Sequence, residues 1–372
     1  MKIAISCHPT QGGSGIVATE LATALAHRGH QVHLAATVRP YRLRPNSGVI
    51  FHELQVPEYP LFRYPPQDLS LANKLAQIAK EFRVDVIHAH YAIPHAVVAL
   101  LAKQVAGAVD VSLVTTLHGT DITLVGSHAE FYDLTRHAMI ASDGLTAVSS
   151  WLRDETLRRF ELEGALRAPI EVIHNFVDPH VFSCGGRVGY PGERDEFHLI
   201  HASNLRPVKR ISDVIRVFHG VQQEVPARLT VLGEGPEKGL ARELAAELGI
   251  SHKITFTSTA RDVPEMMRSA HMKLLLSDYE SFGLSALEAL ASGTPVAASA
   301  SGGLAEVIEY GRTGVLCPVG DVACATRRIL AVLTDRAAWE AMSANAARSA
   351  RERFALETIV PQYEALYARL RG

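Results

Sequence analysis

Two carboxylates stand eight residues apart in Glu280-Ser-Phe-Gly-Leu-Ser-Ala-Leu-Glu288, and Ala289-Leu-Ala-Ser-Gly-Thr-Pro-Val296 follows at once. The apolar run from Met272 to Leu276 reads as a buried strand. Gly293-Thr-Pro295 reads as the end of a helix, and Val296 to Ala300 as the next strand. Glu280 then lies in the loop leaving the C-terminal end of a strand, and Glu288 about two turns into the helix beyond it, where open α/β sheets bind ligands. A helix opening near Ser281 to Gly283 has first-turn N–H groups without intrahelical partners, and these face whatever fills the crevice. Glu280 and those amides suit sugar hydroxyls. Eight helical steps span about 12 Å, whereas a retaining glycosidase pair needs roughly 5 Å between its carboxyls. The two acids therefore read as ligand grips rather than a hydrolytic pair. A helix cap at Glu280 and a solvated helical Glu288 are the plainer alternatives.

Other stretches carry chemistry of the same kind. Gly12-Gly-Ser-Gly15 follows a strand and opens a helix, which presents backbone N–H groups to an anion. Gly13-x-Gly15-x-x-Ala18 also satisfies the dinucleotide fingerprint, but Val32-His-Leu-Ala-Ala-Thr37 lacks the acid that would hold a ribose. An anionic group of another ligand, or a tight turn alone, is left. Leu117-His-Gly-Thr-Asp-Ile122 bunches His, Thr and Asp at a strand end, where His118 can orient a hydroxyl or shield developing positive charge. His88-Ala-His90 puts two imidazoles on one face of a strand; with no third metal ligand evident, the pair reads as structural, with Tyr91 beside it lining a small pocket. Ser203-Asn-Leu-Arg-Pro-Val-Lys-Arg210 gathers Arg206, Lys209 and Arg210 where a diphosphate would need neutralising, unless the loop is simply solvated. Gly233-Glu-Gly-Pro236 lets backbone approach a ligand, and Arg261-Asp-Val263 sits where main-chain groups can hold a base.

The elements behind these residues alternate between strand-like and helix-like runs, which argues for parallel sheets with covering helices. The chain's 372 residues, 47% of them hydrophobic, fit two cores. The glycine-rich, aperiodic segment 183–196 reads as a linker. The expected organisation is an N-terminal unit over 1–182, a C-terminal unit over 197–355, and a helical tail over 356–372 that packs back on the first unit. With 37 basic and 39 acidic residues spread along the chain, the net charge of −2 gives no case for nucleic acid or an anionic membrane. The longest apolar stretch, Ala96 to Val109, is broken by Lys103 and Gln104 and is too short to span a bilayer. Cys7, Cys184, Cys317 and Cys324 suit neither a disulfide framework nor a zinc site, and the first strand begins at Lys2 with no signal-peptide pattern; a cytoplasmic location is expected. Self-association is left open.

Taken together, the Glu280/Glu288 spacing, the glycine loop at Gly12, the basic turn at Lys209 and Gly-Glu-Gly-Pro at 233 resemble the retaining glycosyltransferases of family 4, over essentially the whole chain. The resemblance implies a GT-B fold, an α/β architecture of two doubly wound Rossmann-like domains facing a cleft, with a nucleotide sugar on the second domain and an acceptor mainly on the first. It implies that Glu288 holds ribose hydroxyls, and that Glu280 with Ser281 and the amides of Phe282 and Gly283 holds the donor sugar. Lys209 and Gly13 would meet the diphosphate, Val263 the uracil, and Ser203, Asn204 and Gly233 would complete the donor site. The family usually has Arg five residues before that lysine; Asn204 stands there, and Arg206 is the substitute. The segments Tyr64 to Asp68, His88 to Ala96 and Thr115 to Thr123 resemble members that join UDP-GlcNAc to L-malate, for which Ser14, Tyr91, Thr116, His118 and Thr120 would hold the acceptor. His118, Lys209, Arg206 and Glu280 are the expected catalytic residues, with no metal and no cofactor beyond the donor substrate. An inositol phosphate or lipid-linked sugar as acceptor, or epimerisation of UDP-GlcNAc on the same fold, are the alternatives.

Overall fold

The computed structural model describes residues 1–9, 12–56, 60–61, 63–107, 110–192, 195–258 and 262–372. The chain divides into two compact units, Met1–Asn175 with Ile359–Gly372, and Phe176–Thr358. Segment 183–196 belongs to the second unit and carries neither strand nor helix among its described residues.

The first unit is built on β1 (Lys2–Ser6), β2 (Gln31–Ala36), β3 (Ile50–Glu53), β4 (Val86–His90), β5 (Ser112–Leu117), β6 (Gly144–Ala147) and β7 (Glu171–Val172). Among the described residues they form one parallel sheet in the order β3-β2-β1-β4-β5-β6-β7. Strands buried on both faces read as apolar runs, and helices cover them through periodic faces such as Leu71, Leu75 and Ile78 of the helix Gln67–Phe82. The helix Ala129–Ala141, between β5 and β6, was not among the expected elements. Helix Gly13–His27 takes Gly13 to Gly15 as its first turn. Strand β3 was not foreseen, because a short edge strand with Ile50 exposed has no buried alternation to betray it.

The second unit holds β8 (Phe197–Ala202), β9 (Ala227–Leu232), β10 (Ile254–Thr257), β11 (Met272–Leu275), β12 (Val296–Ser299) and β13 (Gly314–Cys317), in the order β10-β9-β8-β11-β12-β13 among the described residues. Helix Ile211–Glu224 seals one face with Ile211, Val214, Ile215, Phe218 and Val221, a repeat of three and four. Asp262, Asp321 and Asp335 each cap a helix by accepting an N–H two or three residues into it. In each sheet the strand order reverses once, between β1 and β4 and between β8 and β11. Ligands bind at such switch points, beyond the carboxyl ends of the strands. The residues singled out by type and spacing follow β1, β4, β5, β8, β9, β10 and β11.

The C-terminal segment is part of the first unit's core. Tyr363 and Tyr367 are fully buried, and the Tyr367 hydroxyl lies 2.7 Å from His88 Nδ1 on β4. Glu364 takes Arg28 and His30 at 2.9 Å, and Ser112 Oγ donates to the Leu370 carbonyl at 3.3 Å. Tyr367→Phe keeps the ring and strands a buried imidazole nitrogen, so it should lower stability by about 1–3 kcal/mol. The urea midpoint of the first unit's transition is the measurement; an unmoved midpoint would show that the bond contributes nothing.

Candidate active site

In the second unit the two carboxylates occupy different depths. Glu280 lies beyond β11, where its Oε1 accepts from Lys209 Nζ at 2.6 Å and from Ser277 Oγ at 2.8 Å. Helix Leu284–Ala291 begins later than the sequence suggests, with Gly283 as its N-cap at φ +94°, so Glu288 sits one turn in, not two. It is buried, at 6% exposure, which rules out the solvated helical Glu. Phe282 is buried and meets the Phe354 ring edge-on at 5.7 Å, which fixes the turn that carries Ser281 and Gly283. A Cβ on Gly283 would lie 2.6 Å from Leu304.

The basic turn splits by role. Lys209 ends the 3-10 turn Pro207–Lys209 and points at Glu280, while Arg206 is exposed and holds no side-chain partner among the described residues. Arg210 is not part of the cation cluster. Its Nε donates to Asp213 at 2.6 Å and its Nη1 to Asp278 at 2.9 Å, so its charge is already neutralised. Asn204 is exposed, and its carbonyl accepts from the Arg206 amide. Ser203 Oγ lies 2.7 Å from His201 Nε2, while His201 Nδ1 lies 3.0 Å from the Leu274 carbonyl. A carbonyl only accepts, so Nδ1 carries the ring proton and Ser203 donates to Nε2. Gly233 is a close-approach residue: at φ +146°, a Cβ there would lie 1.8 Å from the Ser203 carbonyl oxygen. Val263 opens the helix Val263–Arg268 behind the Asp262 cap. Arg261 lies outside the described residues.

Three features here escaped the sequence reading. Lys273, inside the apolar run, is fully buried on β11; its Nζ donates to the Ala202 carbonyl at 3.4 Å. Burial brings its pKa down to about 8, against the opposing pull of Glu288 and then Glu280. Gly302 and Gly303 press against the Glu280 loop, where the Gly303 amide donates to the Glu280 carbonyl at 2.7 Å and a Cβ on Gly302 would lie 2.1 Å from the same oxygen.

In the first unit the candidate residues follow β1, β4 and β5. Gly13 and Ser14 are in the first helical turn, Ser14 being buried at 8% exposure. Tyr91, at φ +100°, donates its amide to the Thr116 carbonyl at 3.0 Å and places its ring 5.2 Å from His8 and 5.4 Å from His118. Thr120 starts the short helix Thr120–Thr123. Asp121 is a staple: Oδ1 accepts from the amides of His118 and Gly119, Oδ2 from the amide of Ala92. Burial raises its pKa to about 6, with those amides opposing. Thr116 does not serve as a hydroxyl donor to a ligand. It is fully buried, and its Oγ1 is 2.7 Å from both His88 Nε2 and Thr146 Oγ1.

His118 is neutral. Burial, then the neighbouring His8, push its pKa down to about 3, so it offers hydrogen bonds rather than charge near neutral pH, the form that either orienting a hydroxyl or shielding positive charge requires. Its Nε2 is 2.9 Å from His90 Nδ1. The other His90 nitrogen, Nε2, is buried without a partner among the described residues. A buried N–H with no acceptor is rarer and costlier than a bare lone pair, so His90 carries its proton on Nδ1 and donates it to His118 Nε2. His118 then holds its own proton on Nδ1. His90 is therefore a positioning residue for His118 rather than a bystander. Among the described residues no group of three or more His, Cys, Asp or Glu side chains is arranged to hold a metal.

Two Rossmann-like units, with ionic grips at one switch point and neutral hydrogen-bonding groups at the other, define the class of the GT-B glycosyltransferases. Residues 11–181 match Glycosyltransferase Family 4, and residues 191–351 match Glycosyl transferases group 1. The chain is 41% identical over 372 residues to the N-acetyl-alpha-D-glucosaminyl L-malate synthase of Bacillus anthracis, covering 99% of this chain and 96% of that protein. It is 29% identical to the D-inositol 3-phosphate glycosyltransferase of Pseudarthrobacter chlorophenolicus, covering 82% of this chain and 78% of that one. Anabaena Alr3699/HepE, solved in complex with UDP-glucose, shares the fold at a TM-score of 0.79 and 22% identity, over 99% of this chain and 100% of that one. The chain belongs to glycosyltransferase family 4.

In the free enzyme, long-range 1H–15N correlations of His118 should report a proton on Nδ1 throughout pH 5–8, with no titration near 6.5. His90→Leu should shift that tautomer, and His90→Asn, which retains an N–H near the Nδ1 position, should restore it. An Nε2–H form of His118 in the wild type would overturn the assignment.

Proposed function

We propose that this enzyme transfers N-acetylglucosamine from UDP-GlcNAc to the hydroxyl of L-malate with retention at the anomeric carbon, the first step of bacillithiol biosynthesis, in the cytoplasm. The observation that carries the acceptor is the full-length similarity to the malate synthase. The donor rests on the residues at the β8/β11 switch point, where Lys209 and Glu280 are already paired.

In this reading the malate hydroxyl oxygen forms a bond to the anomeric carbon on the face the diphosphate leaves. The bond from that carbon to the β-phosphate oxygen breaks with its electron pair going to UDP, and a β-phosphate oxygen takes the hydroxyl proton. No protein nucleophile, metal or cofactor enters the step. Lys209 exchanges Glu280 for the diphosphate, joined by the exposed Arg206, and stabilises charge as it develops on the leaving group. Glu280, Ser281 and the amides of Phe282 and Gly283 hold sugar hydroxyls, and Glu288 holds the ribose. On the acceptor side, the His118 Nδ1–H, Tyr91, Thr120 and Ser14 at its helix N-terminus supply donors to a small dianion. The deciding assay is UDP release from UDP-GlcNAc with L-malate, an inositol phosphate or no added acceptor. Release with malate alone supports the reading; release with inositol phosphate alone would transfer the assignment to that acceptor.

Two substitutions test the donor grips. Lys209→Ala should lower kcat by about 100- to 1000-fold, the usual loss for a transition-state charge partner, and a kcat near wild type would remove Lys209 from that role. Glu288→Gln keeps the side-chain volume and should weaken UDP binding by roughly 10- to 100-fold, as for loss of charge-assisted hydrogen bonds. Calorimetry with UDP reads this directly; an unchanged affinity would refute the ribose contact.

A further inference from the structure

A cavity of about 590 Å³ opens on the second unit between the loop 184–190 and the helix Arg336–Phe354. None of the residues given a donor role lines it. Its volume is in the range of small-molecule sites. Alanines at 344 and 347 leave room on the helix face, with Arg348 and Arg351 exposed beside them.

The loop side supplies Arg187. Its guanidinium stacks on Trp339 with Cζ 4.3 Å from the ring centroid, and Trp339 is itself oriented by Nε1–H donating to the His271 carbonyl at 2.9 Å. Arg187 lines the cavity, and its Nε and Nη2 are buried without a hydrogen-bond partner. Among the described residues no carboxylate pairs with this guanidinium, and burial brings its pKa down to about 10. Of the two acids on the rim, Glu340 is occupied by Arg336 at 2.8 Å and Glu352 is exposed. An uncompensated, largely buried cation is costly unless something anionic completes it.

The site is also held in shape. Val188 N–H donates to the Arg268 carbonyl at 3.3 Å, His271 Nε2–H donates to the Gly189 carbonyl at 3.2 Å, and the Tyr190 hydroxyl donates to the Leu333 carbonyl at 2.6 Å. The Arg187 stem rests on Gly293, where a Cβ would lie 2.9 Å from Arg187 Cδ. Gly293 closes the helix that carries Glu288.

We infer that this cavity is a second ligand site, which takes a small organic anion with its oxyanion group against Arg187, Arg348 and Arg351 and its apolar or aromatic body along Tyr190 and the alanines at 344 and 347. The site is separate from the donor grips and its test does not depend on sugar transfer.

Phenyl phosphate is a suitable probe, with benzoate as a second anion and benzyl alcohol as the neutral control, titrated calorimetrically into the full chain. Binding of both anions should persist in Lys209→Met, which disables the nucleotide-phosphate position. It should fall at least tenfold in Arg187→Met and in Arg348→Gln/Arg351→Gln, and benzyl alcohol should give no heat. The second variant is confined to exposed side chains and decides the matter if Arg187→Met fails to fold. Equal affinity in wild type and both arginine variants, or loss of binding in Lys209→Met alone, would overturn the inference.

Discussion

The second unit is built around one buried ammonium. Lys273 stands on a central strand with no exposure, and burying a lone cation there would cost several kcal/mol without charges to answer it. Glu288 and Glu280 answer it from the helix and loop beyond the strand, and Lys209 balances the second of these directly. Two cations and two carboxylates thus share one neighbourhood with no net charge. Such a cluster is held in geometry before any ligand arrives, which is what preorganised electrostatic stabilisation requires. It also gives the buried Glu288 a structural task, since its carboxylate answers the Lys273 ammonium.

Backbone proximity brings these charges together. Gly233 and Gly235 let the turn after β9 lie against the carbonyls of Ser203 and Leu205, and Gly302 and Gly303 do the same for the loop after β12 against Glu280 and Ser281. Each contact would place a Cβ within 1.8–2.4 Å of a carbonyl oxygen, closer than any side chain permits. The loops after β8 and β11 are therefore clasped from both sides at the point where the strand order reverses. The glycines in these turns are explained by packing between loops; contact with a ligand is not needed to account for them.

Much of this was legible because it is local. Apolar runs of four to six residues, glycine-rich turns and periodic helical faces located both sheets and most of the elements, and the positions of Glu280, Glu288 and Lys209 marked the charged cluster beyond β8 and β11. What was not legible depends on distant partners. A lysine within an apolar run gives no sign that its counter-charges lie 7 and 15 positions further on. The His88–Tyr367 bond joins residues 279 apart, and the role of His90 emerges only when His118, from the next strand, is set beside it. Thr116 illustrates the converse error, since a hydroxyl near a strand end looks available until its two buried partners are known.

The two units solve the problem of polar ligands in opposite ways. On the second, formal charges are paired in advance, Lys209 with Glu280 and Arg210 with Asp213 and Asp278. On the first, burial keeps His88, His95 and His118 uncharged, with pKa values near 3, and Asp121 is enclosed by three amides. Its switch point therefore contributes oriented dipoles in place of cations: ring and backbone N–H groups whose direction is fixed by hydrogen bonds behind them. Fixed dipoles favour an anion of matching shape but attract distant anions less strongly than free lysines would. What that surface holds constant is geometry, which the His90–His118 pair and the Asp121 staple maintain.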